Sequence, residues 1–143
     1  GTMQSRVFVA AAFAAALAVP IAFGAPAKKP PPTGPGCKPA VSVILKGTLT
    51  SDPEFVGAGP FTMNTTGGNK PGKVFVGGLD ETITVGADTK VRRQNAPKLI
   101  ASLESGDRAV VHLRACKGAL PLDAAELTLL TALRVNAQAP AAP

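Results

Sequence analysis

Tryptophan and tyrosine are missing from this chain, histidine occurs once, cysteine occurs twice, and all six aromatic residues are phenylalanine. Each shortage narrows what the protein does. Without Trp or Tyr, and with Phe wanted for the core, the stacking surfaces on which single-strand-binding barrels hold bases are lacking. His112 stands without a second histidine, and the cysteines, Cys37 and Cys116, lie too far apart in sequence to form a CxxC pair. A metal site would therefore need carboxylates from elsewhere. No P-loop, nucleophile elbow or zinc motif occurs. Asp52 with Glu54, and Asp80 with Glu81, sit at turn-like positions where carboxylates cap and solvate rather than perform acid–base catalysis. The expectation is a non-enzymatic protein with no catalytic residue, no metal and no cofactor.

What is present begins with an export signature. Gly1 and Thr2 precede Met3 and read as a cloning scar. From Met3 the stretch MQSRVFVAAAFAAALAVPIAFGAPA has Arg6 as a charged start, an apolar run from Val7 to Val19, and Pro20 before small residues. That is the pattern of a secretory signal peptide over residues 3–27, with cleavage after Gly24 or Ala27. Its Ala content, Pro20 and Gly24 argue against a retained membrane anchor. Residues 28–39 form a Pro/Lys-rich linker unsuited to helix or central strand. The Ala-rich style of the signal is bacterial, which leaves the Asn64-Thr65-Thr66 sequon idle.

Phe8, Phe13 and Phe23 fall in the N-terminal segment, so Phe55, Phe61 and Phe75 are the aromatics left for a folded part of roughly 100 residues. So small a core gains from a staple. An even pair of cysteines in an exported chain predicts a disulfide between Cys37 and Cys116, pinning the linker to the domain.

Within residues 40–136 the dominant signal is alternation. Val41, Val43, Leu45, Gly47 and Leu49 oppose Ser42, Ile44, Lys46, Thr48 and Thr50, which predicts a strand. GPFTMNTT predicts a second with Phe61 and Met63 on one face, and KVFVGG a third. Thr82 to Val85 predicts a fourth, with a Gly-Ala-Asp turn and a return through Thr89 to Arg92. Pro97 starts a short helical turn with Leu99, Ile100 and Leu103 facing the core, and Arg108 to Cys116 is a further strand. PLDAAELTLLTALRVNAQ carries both a capping-box spacing at Asp123 and Glu126 and an alternation over Leu127, Leu129, Thr131, Leu133 and Val135. The alternation favours strand. Residues 137–143 form an Ala/Pro tail. Several short strands, glycine turns and one helical turn predict an all-β fold, a small five- or six-stranded barrel.

The runs ITVGADTKVRR, LIASLESGDRAVVHL and AAELTLLTALRV, with a V-x-x-x-T-x-V strand before an L-x-x-G-D-x-V-x-V turn and strand, resemble exported bacterial OB-like small β-barrel domains of unknown function. The resemblance spans mainly residues 80–136. It implies an OB-like barrel and carries over no catalytic residue.

The chain is basic, at +6, but Arg6, Lys28, Lys29 and Lys38 supply +4 of this from residues 1–39. Residues 40–143 hold eleven basic and nine acidic side chains, a balance that disfavours strong steering onto nucleic acid. Arg92 and Arg93, with Lys98 nearby, form the compact basic spot and the candidate contacts for a polyanion or partner. The reading is a secreted or envelope-associated module that binds an extracytoplasmic protein or ligand, or serves a structural role, with no stable membrane span after processing. Its binding surface is expected in the loops Phe55 to Gly72 and Arg92 to Lys98. The alternative is binding of single-stranded nucleic acid or another polyanion.

Overall fold

A computed structural model describes residues 30–34, 37 and 39–140; the signal-peptide expectation lies outside these. The strands are β1 (Ala40–Leu49), β2 (Gly59–Gly68), β3 (Glu81–Arg93), β4 (Ala96–Pro97), β5 (Arg108–Cys116) and β6 (Thr131–Gln138), with one short helix, α1 (Ala124–Leu127), before the last. They join in the order β2-β1-β5-β6-β3-β4, and β2 also pairs with β3. That second pairing closes five strands into a barrel with β4 as a short flap on β3. Every pairing is antiparallel except β3 with β6. This is the OB-like all-β arrangement.

The alternation read in the sequence fills the barrel. Val43, Leu45 and Leu49 from β1, Phe61 and Met63 from β2, Ile83 and Val85 from β3, Val111 and Leu113 from β5, and Val135 from β6 are buried inside it. Period-two geometry sends the intervening residues to the outer wall. Gly47 marks the place where β1 shifts register against β2. A Cβ there would strike the Asn64 carbonyl, so only glycine lets the backbone of β2 pass this close at the shift.

Five local expectations are corrected. KVFVGG is no strand: Lys73–Phe75 is a single 3₁₀ turn that buries Phe75 and leaves Val74 and Val76 exposed. Gly86-Ala87-Asp88 does not reverse the chain; β3 continues to Arg93, absorbing these residues as a bulge between Val85 and Lys90. Thr89 Oγ1 secures that bulge, accepting from Gly86 N–H at 3.0 Å and donating to the Ala132 carbonyl at 2.6 Å. In the turn over Ile100–Ser102, Ile100 and Leu103 are buried as expected but Leu99 is exposed. The last segment is helix and then strand: the reciprocal Asp123–Glu126 capping box starts α1, and β6 follows from Thr131. Its inward residues are Ala132, Val135 and Ala137, while Leu129 and Leu133 face out. β6 also runs to Gln138, into the stretch read as tail.

Each end of β5 is fastened. At its finish Cys116 is bonded to Cys37, with Cα atoms 4.9 Å apart. Here the linker packs more than its composition implies: Pro32 is buried and its carbonyl accepts the Cys116 N–H at 2.8 Å. Before its start Asp107 is fully buried. Its two carboxylate oxygens receive Arg93 Nε and Nη2, each at 2.8 Å, and Oδ2 also accepts the Glu104 N–H at 3.0 Å.

Candidate binding site

The site follows from what the outward positions of β1, β5, β6 and β3 carry. Lys46 lies on β1, Arg108 and Arg114 on β5, Arg134 on β6, and Lys90 and Arg92 on β3; all six are exposed. β1, β5 and β6 contain no carboxylate, and β3 contributes its carboxylate-free end beyond the bulge. The acids sit instead at turns, at α1, at Asp88 in the β3 bulge and at the first residue of β3, where Glu81 is buried and accepts from Thr65 Oγ1 at 2.7 Å. A nearly balanced charge total therefore hides a one-signed wall.

Register places these side chains in rows across the strands. One row runs Lys46–Val110–Asn136–Arg92. Below it lie Thr48, Arg108 and Gln138, and above it Ile44, His112, Arg134 and Lys90. The short side chains of Val110 and Asn136, between taller neighbours, leave a trough. At one end an open depression of about 760 Å³ is lined by Lys90, Arg92, Asn95, Pro97, Arg134 and Asn136. A second, of about 460 Å³, is lined by Lys46, Thr48, Thr66, Arg108, Val110, Asn136 and Gln138. Asn136 belongs to both, so the two meet at it. Its Oδ1 is buried with no hydrogen-bond partner among the described residues, which costs about 1–3 kcal/mol where no ligand supplies a donor.

The electrostatics of the wall are unrelieved. Lys90 stands directly opposite Arg134 and His112 directly opposite the same Arg134 on its other side. Like charges facing each other across strands destabilise a sheet. Burial, and then the Arg134 charge, pull the His112 imidazole below its usual value. Lys46, Lys90, Arg92, Arg114 and Arg134 have no ion pair among the described residues. Arg92 Nη2 donates to the Asn95 carbonyl at 2.6 Å and Arg108 donates to the Ala139 carbonyl at 2.9 Å from Nη2; both bonds orient the guanidinium and leave its charge unneutralised.

The structure separates the three cations singled out in the sequence. Arg92 lines the trough and Lys98 is exposed at a small hollow beside Gly57 and Leu99. Arg93 is held by Asp107, its pKa raised chiefly by that hydrogen bond, and it lies 3.9 Å from Glu104. It serves the fold. Sequence reasoning missed Lys46, Lys90, Arg108, Arg114 and Arg134; their signal is that the bases recur at outward strand positions while, apart from Glu81 and Asp88 in β3, the acids lie outside the strands. Among the described residues no group of three His, Cys, Asp or Glu side chains is placed to hold a metal, and no helix is long and apolar enough to cross a membrane. Comparison with family models, with curated proteins and with solved structures finds no match to this chain.

Proposed function

We propose that this protein is an extracytoplasmic, non-enzymatic binding module whose ligand is an extended polyanion, held on the wall formed by β1, β5, β6 and the end of β3. The observation that carries this reading is the facing of Lys90, Arg134 and His112 within a field of six exposed cations without a carboxylate. A barrel gains nothing in stability from such a pattern, and a rule broken without structural compensation points to function. The disulfide and the signal-type sequence support a compartment outside the cytoplasm.

The test is titration of fluorescent dextran sulfate over a series of salt concentrations. Binding should weaken linearly on a log–log scale, and each of Arg92→Ala, Arg108→Ala and Arg134→Ala should reduce that slope by about one. Thr62→Ala on the opposite, neutral wall should change nothing. Binding that ignores salt, or that survives the triple substitution, would sink the proposal.

A further inference from the structure

Resting on the polyanion reading, we infer that the trough takes an acidic polysaccharide, a hydroxylated chain of carboxylated sugars, laid across the strands from Lys46 to Arg92. Three observations separate this ligand from a nucleic acid.

The first is the floor. Between the terminal cations the row presents Val110 and Asn136, and the buried Oδ1 of Asn136 has no donor among the described residues. Asn136 makes no side-chain hydrogen bond among the described residues, so nothing holds its carboxamide, and a half-turn about its terminal bond brings the acceptor Oδ1 to the midpoint of the trough. Gln138 and Thr48 line the same depression with further polar atoms. A sugar chain supplies hydroxyl donors at every unit, whereas a bare phosphate backbone supplies none.

The second is the lack of any surface for bases. Phe61 and Phe75 are buried in the core, and Phe55 is half-buried against it, so among the described residues no phenylalanine reaches the trough. Base stacking supplies much of the energy by which barrels of this kind hold single strands. The wall on which OB-like barrels usually bind, the face of β2 and β3, here shows Thr62, Asn64, Thr82 and Thr84, with neither charge nor ring.

The third is span. Lys46 and Arg92 are three strand positions apart, about 14 Å along the wall. Cations at both ends, with Arg108 on one flank and Arg134 on the other, suit an anion that repeats along a chain rather than one compact group.

The experiment compares three probes carrying equal numbers of charges: an oligogalacturonate, a linear polyphosphate and oligo(dT), each titrated into the full disulfide-bonded protein. The expected result is tightest binding of the oligogalacturonate, with Asn136→Leu weakening it roughly tenfold while leaving polyphosphate unchanged. Gln138→Ala, at the rim, serves as a companion variant should Asn136→Leu fail to fold, and should weaken the oligogalacturonate alone. Equal affinity for all three probes, or no effect of either substitution, would overturn the polysaccharide assignment while leaving the polyanion reading standing. Tightest binding of oligo(dT) would overturn it in favour of nucleic acid. Failure of every probe to bind would overturn both.

Discussion

The two ends of β5 are held by opposite chemistries. The finish is covalent: Cys116 is bonded to Cys37, and the N–H groups of Cys116 and Lys117 donate to the Pro32 and Pro39 carbonyls of the linker. The start is ionic: a buried Asp107 takes both arms of Arg93, and its backbone carbonyl accepts the Leu49 N–H at 2.9 Å. One end answers to redox state and the other to pH. Between them stand Arg108, His112 and Arg114, so the strand that carries the centre of the basic wall is tensioned independently of the wall's own charges. The lesson is that stability and binding are assigned to different residues of one strand.

The comparison breaks most severely at the covalent end. A loop of 79 residue steps has a chain-entropy contribution of about 4.5 kcal/mol at most. Paired Cys37→Ser and Cys116→Ser substitutions should lower the urea midpoint by the largest amount of any change considered, and reductant should do the same to the native chain. A midpoint indifferent to reductant would show that the ionic end alone suffices.

The ionic end should cost less. Asp107→Ala strands the Glu104 N–H and the Arg93 guanidinium, a loss of about 2 kcal/mol. The Arg93 hydrogen bond, first, and then the Glu104 amide hold the Asp107 carboxyl below its ordinary value of 3.8 despite the opposing effect of burial. A folded pKa below the unfolded one means that the folded state binds the proton less tightly. This contribution is therefore fully present above about pH 4 and disappears as pH falls through the folded value. Denaturant midpoints between neutral pH and pH 3 should fall in the native protein and flatten in Asp107→Asn, while the covalent end stays constant throughout.

How far these ends were legible differs for the same physical reason. A cysteine pair in an exported chain announces itself by composition, and the strands of Val43–Leu49, Phe61–Met63 and Arg108–Cys116 by alternation. The Arg93–Asp107 pair joins residues 14 positions apart through a turn, and nothing in their spacing distinguishes it from a solvated loop. β3 was hidden by Gly86-Ala87-Asp88, a turn signal that tertiary pairing with β6 converts into a bulge. The segment before β6 carried two signals at once: the capping box governs residues 123–127, and of the expected alternating face Leu127 is buried from α1 and Val135 from β6, while Leu129 and Leu133 face out because the strand's period breaks at Leu133-Arg134. The wall was masked by summation. Net charge discards the distinction between outward strand positions and turns, and that distinction is the site.

The smallest effect belongs to the wall itself, and it sharpens the contrast with both ends. Arg134 has no ion pair among the described residues and faces Lys90 and His112 across the sheet. Removing its charge by Arg134→Ala should shift stability by no more than about 0.5 kcal/mol, in either direction, because repulsion relieved offsets packing lost. The spectroscopic consequence is more specific. With Arg134 gone, one of the two influences that depress the His112 pKa is removed, so its titration followed by NMR should move upward toward 6.5 while remaining below it, since burial persists. Protonation of His112 adds a cation beside the trough, and polyanion affinity should accordingly rise as pH falls through that titration. The same protonation is disfavoured by folding, so stability from this group is present above the unfolded value and lost as pH falls through the folded one. Tighter binding and lower stability over one pH interval, both abolished by His112→Ala, would place the imidazole on the ligand's side of the division; a stability change without a binding change would return it to the fold.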